Sequence, residues 1–574
     1  MGPGVPKDAE AVSHTRTSAW SRGRQHAALA WVLFVSGCAS AGLAQAQGAQ
    51  PVATRPDAAA QARQIALGQR LYREGIGVSG QALQAQGAAQ AVLSGNAVAC
   101  AACHRRSGYG SSEGALNIRP VTAVALFEEA SEGVRSPRIK AQLGTRLRPP
   151  YTPALLARAI RNGVDAGGAP LDPVMPRYAL SDEDLAAVVA YLGTLSARPS
   201  PGVDDEEIHF ATVIQPGVPE LQRKAMLEVM AAFFKDKSAG AGRNLEDRRD
   251  AGTMRMYRSY RKWVLHVWAL TGPRETWRAQ LDAFYLQQPV FALVGGLGVS
   301  SWQPIHTFCE EKEIPSVFAQ VNLPVVTGSN HYNFYFSRGL TLEAEVLVKF
   351  LRDSGVGGPL VQVYRRDEAG LASAQAMRDA LPKGAELEDV VLDGAGDEGF
   401  WRKLAARRAG SVVLWLNQED LARVVLPGEG FAVPVYLSFD HLNGKPPPNP
   451  GALGSQARMI YPTDLPPRHA ARLLRTTIWL HNKGIPVVDE AVQIGTQFAL
   501  TVLSDAVGHV MDSFSRDLVA ERIEHVVATT SIPSLYPNVS LAPGQRFAAK
   551  GAAIVELVPG EKPQMKALSG WIVP

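Results

Sequence analysis

The sequence predicts a multidomain chain, an all-α unit followed by an α/β unit, and three observations carry that expectation. Two stretches without periodic apolar residues, 47–61 and 197–206, divide the 574 residues. Between them, in 62–196, apolar residues recur at helical spacing. From 207 to 574 short apolar runs alternate with helix-like segments, the order that builds mainly parallel sheets.

In the first unit, Ile65, Leu67 and Leu71 open a helix, and Thr152-Pro153 starts one carrying Leu155, Leu156, Ala159 and Ile160. Ser181-Asp182-Glu183-Asp184 reads as a capping box before the stripe Leu185, Val188, Val189, Leu192. In the second unit the strand candidates are Ile208–Ile214, Trp263–Ala269, Val290–Val294, Ser316–Ala319, Leu360–Tyr364, Val412–Leu416, Val433–Ser438 and Arg458–Tyr461. Helix-like stretches such as Glu220–Phe234, Glu275–Gln287 and Leu342–Asp353 separate most of them.

Composition narrows the function classes. The chain is 46% apolar and 20% charged, with a net charge of +4, which argues against a disordered polyelectrolyte and a nucleic-acid partner. Residues 51–200 are more basic, with 16 Lys plus Arg against 11 Asp plus Glu. A basic face of that kind steers an acidic redox partner, or is simply a solvated surface. Four cysteines, Cys38, Cys100, Cys103 and Cys309, exclude a disulfide scaffold.

Residues 1–46 read as a secretory signal: Lys7, Arg16, Arg22 and Arg24, then the apolar run Ala27–Val35, then small residues to Ala46. Val35-Ser36-Gly37-Cys38 resembles a bacterial lipoprotein box, so the chain is cleaved either before a lipidated Cys38 or after Ala46. No later segment has the roughly 20 apolar residues of a membrane span. The expectation is a periplasmic protein that meets the membrane only through a lipid on Cys38.

The sharpest motif is Cys100-Ala101-Ala102-Cys103-His104. This spacing lets two thiols add to the vinyl groups of one porphyrin while the adjacent imidazole reaches iron, the arrangement of covalent haem c. A thioredoxin-like pair would want a strand just before it, and a zinc site a second Cys or His pair. Between residues 51 and 200 the only histidine is His104 and the only methionine is Met175. Elimination therefore makes these the two axial ligands, with Met175 stiffened by Pro173 and Pro176. Such ligation raises the reduction potential and fills the iron, favouring electron transfer over catalysis.

Together with Gly68 and Tyr72 of the first helix, Ala159–Asp165, Met175-Pro176 and Ala190-Tyr191-Leu192, this motif makes residues 62–196 resemble a class I cytochrome c. The resemblance implies that the first and last helices cross beside one haem, and that Pro120 supplies the carbonyl orienting His104, with Pro149 and Pro150 as competitors.

Residues 207–574 resemble the type I periplasmic binding proteins of the branched-chain amino acid family. The first strand to Pro216, Phe291–Gly296 running into Ser300-Ser301-Trp302, Ile314–Ala319, the helical segment Ala491–Met511 and the ending Gly570–Pro574 carry the likeness. It implies two α/β lobes closing on a small molecule at the carboxyl ends of strands. There, Gly295–Ser301 would offer Ser300 and Ser301 to a ligand, with Gln320 as a second candidate; the competing reading is a plain strand-to-helix turn. Two departures stand out. Pro216-Gly217 shortens the loop after the first strand, and Asp367-Glu368-Ala369-Gly370 lacks the aromatic ring of the family's Asp-x-Tyr-Gly. Cys309, without a partner in this unit, reads as a buried thiol.

Two functions follow. One is a periplasmic electron carrier with a fused sensing or docking domain, reduced by a periplasmic dehydrogenase such as a quinoprotein. The other is an ABC-transporter solute-binding protein with an accessory haem domain. No triad or metallohydrolase pattern argues for an enzyme.

Overall fold

The structure is a computed structural model that describes residues 58–87, 91–113, 116–128, 148–250, 261–328, 330–426, 430–447, 450–510, 513–558 and 564–574. The signal segment and Cys38 lie outside the described residues.

Among the described residues the N-terminal part has five helices: α1 (Ala58–Glu74), α2 (Cys100–His104), α3 (Ala123–Phe127), α4 (Pro153–Asn162) and α5 (Asp182–Leu192). α1 begins inside the stretch read as linker. Thr152 caps α4, with Pro153 in its first turn and Gly163 ending it at φ 69°. Ser181 and Asp184 form the expected capping box on α5. α1 crosses α5 at Gly68, where a Cβ would stand 2.0 Å from the Ala187 carbonyl oxygen, so only glycine allows that approach. The all-α expectation needs correction. β1 (Gln84–Gln86) pairs antiparallel with both β2 (Val92–Ser94) and β5 (Arg177–Tyr178), while β3 (Ser112–Glu113) pairs with β4 (Leu116–Asn117). Runs of two or three residues are too short to show a period-two pattern.

Among the described residues beyond 206 there are two sheets. The first contains β6 (Glu207–Ile214), β7 (Lys262–Ala269), β8 (Ala292–Val294), β9 (Leu297–Gly298), β10 (Ser316–Val321) and β11 (Asn333–Tyr335). Its order is β11-β10-β8-β6-β7, with β9 beside β10 and β6, and every pairing is parallel. α6 (Glu220–Asp250), α13 (Pro466–Asn482), α14 (Glu490–Gly508) and α15 (Arg516–Thr529) cover one face; α7 (Trp277–Gln287) and α8 (Gln303–Glu311) cover the other. The second sheet contains β12 (Leu360–Tyr364), β13 (Leu387–Val391), β14 (Ser411–Trp415), β15 (Val435–Leu437), β16 (Ala457–Tyr461), β17 (Ala553–Val558) and β18 (Gln564–Ala567). Its order is β13-β12-β14-β15-β16-β17-β18, parallel through β16 and antiparallel after it. α9 (Leu340–Asp353) and α10 (Glu368–Ala380) pack on one face, α11 (Glu398–Ala405) and α12 (Gln418–Ala422) on the other.

β12 and β14 are buried along their whole length, because helices cover both faces and leave no polar side. The chain passes between the two sheets three times: from β11 to α9, from β16 to α13, and from the segment after α15 into β17. These are the two α/β lobes that the sequence resemblance implies. The antiparallel end of the second sheet was not expected.

The stretch 197–206 is not a loose tether. Ser200 N donates to Phe514 O (2.7 Å), and the buried Arg516 guanidinium donates to the carbonyls of Pro201 (3.1 Å), Phe291 (3.1 Å) and Lys312 (3.0 Å). One side chain thus ties the connecting segment to the first lobe by satisfying backbone acceptors that would otherwise be orphaned.

Candidate functional site

α2 places Cys100, Cys103 and His104 on a single short helix. It ends at Arg105, whose φ of 63° turns the chain away, and Gly110 N closes back on His104 O at 3.0 Å. The His104 ring is held from the other side, its Nδ1 lying 2.9 Å from the Arg119 carbonyl oxygen. A carbonyl only accepts, so Nδ1 carries the proton and Nε2 keeps its lone pair. The orienting carbonyl is therefore one residue before the expected Pro120; proline's fixed φ presets the turn while its neighbour supplies the oxygen. Burial holds the imidazole below its usual pKa, against the Arg119 hydrogen bond, which raises it.

Cys100 is half-buried against the apolar cluster of Leu71, Tyr72, Val98, Tyr178 and Val188, and Met175 packs on the same cluster. Burial pushes the Cys100 thiol up to about 12, and Cys103 acts in the same direction. Cys103 is exposed. The Met175 loop is a tight turn, with Met175 N bonded to Asp172 O at 3.1 Å and Val174 N to Asp172 Oδ1 at 2.9 Å. Tyr178 ties this loop to the chain just before Cys100 through its hydroxyl on Val98 O (2.8 Å). The Cys100 thiol and the Met175 thioether thus meet one apolar cluster, with Cys103 and His104 on the same short helix as Cys100, a donor set that fits haem c.

Behind α2 the N-terminal part docks on the first lobe through a charged seam. Arg73 of α1 pairs with Glu313 and with Asp517 of α15; the Arg73 and Asp517 side chains are 13% and 12% exposed. Arg106 sits 5.3 Å over the Tyr332 ring and 3.7 Å from both Glu313 and Asp517. Tyr332 donates its hydroxyl to Asp517 at 2.6 Å. Burial, Arg106, Arg546 and Arg73 push His331 down to about 2, so it stays neutral there. Ser107, fully buried, donates from N (3.0 Å) and Oγ (2.6 Å) to the Glu521 carboxylate, which burial pushes up to about 7. Part of the basic charge read as a partner-steering face is thus turned inward. The signal was present in the sequence as Asp517, Glu521 and Glu524 at i, i+4 and i+7 on one helix.

Between the lobes, the residues expected to meet a ligand are engaged with the chain itself. Gln215, just after β6, accepts at Oε1 from Val299 N (3.1 Å), Ser300 N (3.0 Å) and Ser300 Oγ (3.0 Å), and donates to Ser301 O (3.1 Å). Ser301 Oγ accepts from Gln303 N (3.2 Å) at the start of α8. Gln320 is turned onto α14, donating to Val492 O (3.1 Å) and Thr496 Oγ1 (3.2 Å) against Gly495. A polar side chain at the end of β10 here finds its partners in the covering helix. Ser301 N donates to Glu368 Oε2 of the second lobe (3.1 Å), and Glu368 also pairs with Arg274. Sequence reasoning missed Gln215, Arg274 and Glu368 as the groups that face this loop. Cys309 is buried, and burial raises its pKa.

The family model for cytochrome c matches residues 85–196, and that family implies a covalently bound haem c. No curated protein matches the sequence. Similar solved structures include a fatty acid ABC transporter substrate-binding protein from Thermomonospora curvata: 14% identity, 66% of this chain, 95% of that one, TM-score 0.44. A leucine-binding protein from Thermotoga maritima has 13% identity over 64% of this chain and 99% of its own, TM-score 0.44. A branched-chain amino acid ABC transporter structure from Thermus thermophilus with bound valine has 12% identity, 64% and 97% coverage, TM-score 0.45. The two-lobe architecture rests on the strand orders above and not on these likenesses. Among the described residues no helix is long and apolar enough to cross a membrane.

Proposed function

We propose that this chain is an exported, periplasmic electron carrier whose single haem c is attached at Cys100 and Cys103 and ligated by His104 and Met175. The observation that carries this reading is the cytochrome c match over 85–196, in which the His104 ring keeps Nε2 free while Nδ1 is held by Arg119. A bound haem would supply a one-electron couple. The protein's own part is to fix the imidazole tautomer, hold the Met175 thioether on the turn stiffened by Pro173 and Pro176, and keep an apolar wall of Leu71, Val98 and Val188 behind the group. The electron donor is a periplasmic dehydrogenase, of the quinoprotein kind or another, that reaches the haem edge near Cys100–His104.

The two-lobed body then serves as a docking or sensing domain. Solute delivery to an ABC transporter is the competing reading. Gln215 and Glu368 already occupy donors of the Val299–Ser301 loop, which favours the redox reading.

The test pairs two variants of the exported protein, Ser300→Trp/Ser301→Trp and Met175→Ala, and measures donor-dependent haem reduction and solute uptake in both. The redox reading expects reduction to persist in the first and to fail or slow in the second. Normal reduction kinetics in Met175→Ala together with lost uptake in the tryptophan variant would overturn it.

A further inference from the structure

The Val299–Ser301 loop follows β9 and leads into α8. Gln215 satisfies Val299 N and Ser300 N from within the first lobe. Ser301 N takes its acceptor from the second lobe: the carboxylate of Glu368, the first residue of α10. The same carboxylate pairs with Arg274, in the turn after β7 of the first lobe. One second-lobe carboxylate therefore joins two first-lobe groups, a cation and a backbone donor.

The local sequence explains how Glu368 reaches that place. Asp367 caps α10 by accepting from Gly370 N at 2.7 Å. A Cβ at Gly370 would lie 2.2 Å from Arg365 O, so glycine is required for the tight turn out of β12. The Asp and Gly of Asp367-Glu368-Ala369-Gly370 are thus held by turn geometry. Two positions lie between them, and the first of these, Glu368, carries the acid.

We propose that Glu368 is a built-in latch: the second lobe's own carboxylate docks on Arg274 and Ser301 N and holds the two lobes closed. The inference concerns the cleft alone, so it stands or falls separately from the haem reading. The Arg274 and Glu368 side chains are 40% and 38% exposed, so the ion pair by itself contributes little. The charge-assisted hydrogen bond from Ser301 N adds to it, and together they shift the closed-to-open ratio by about tenfold. An exposed pair is also screened, which gives the latch a salt dependence.

The test measures the distance between the lobes in the full-length holoprotein. Spin labels are placed at Leu286→Cys on α7 and Lys403→Cys on α11, both exposed positions. The parent gives one short-distance population at low salt and gains a longer one at high salt. Glu368→Ala and Arg274→Ala show the longer population at low salt, with no further response to salt. An unchanged haem spectrum confirms that each variant is folded. A Glu368→Ala distribution that superimposes on the parent's overturns the latch.

Discussion

The Arg119 carbonyl oxygen lies 2.9 Å from His104 Nδ1, so a backbone group fifteen residues downstream decides which ring nitrogen keeps its lone pair. The contact belongs to a folded loop closed by Gly110 N on His104 O and Val121 N on Gly108 O. The imidazole is thereby oriented by the polypeptide itself.

The haem assignment is open to direct removal. Cys100→Ala/Cys103→Ala should abolish covalent haem staining of the exported chain. Met175→Ala should keep the stain but lose the weak long-wavelength absorption of a Met–iron bond, and it should lower the reduction potential. An unchanged spectrum in Met175→Ala would assign the sixth position to another residue.

Gly68→Ala tests the helix crossing. With 2.0 Å available to the new Cβ, α1 must move off α5, at a cost of about 1–3 kcal/mol. Urea unfolding followed at the haem absorbance should show a lower midpoint. An unchanged midpoint would mean that the crossing is looser than described.

Arg73→Ala leaves Asp517 in a largely buried site without one of its cations, and breaking such a pair costs about 3 kcal/mol. The expected result is faster proteolysis within 197–206, read by mass spectrometry, while the haem spectrum is kept. Equal cleavage rates would remove the seam as the docking element.

Glu521 gives the seam a pH dependence with a definite sign. Its folded-state pKa is raised from 4.5 to about 7, so the folded form binds this proton more tightly than the unfolded chain does. Stability should therefore fall as pH rises from about 4.5 to about 7, by an amount on the order of 3 kcal/mol, and then level off. Asp517 acts in the same direction as burial; Ser107 and Arg105 oppose it. Denaturant titrations at pH 5 and pH 8 should show the difference in the parent, and Glu521→Gln should flatten it. A parent slope retained by Glu521→Gln would place the titration elsewhere.

Much of the larger body was legible because its strands are continuous apolar runs. Val412–Leu416 and Leu360–Tyr364 fall on β14 and β12 almost residue for residue. β13 was missed because its residues are mostly exposed or half-buried and acidic, as an edge strand's are. In the site, Cys100 and Cys103 stood out by their spacing, and His104 and Met175 because residues 51–200 hold no other histidine or methionine. The bonds of Gln320 to α14 were not legible, because a position at the end of a strand says nothing about which way the side chain turns. Arg274 and Glu368, 94 residues apart, are joined only by the folded topology.

Arg516 has a consequence for how a partner meets this protein. A free ten-residue connector would let its domain wander by about 17 Å, raising the number of poses in which a donor could find the haem. With Pro201 O and Ser200 captured at the start of α15, that search is removed. Encounter becomes rigid-body docking against one fixed outline, in which the adjoining first lobe is part of the shape that a reductant must accommodate.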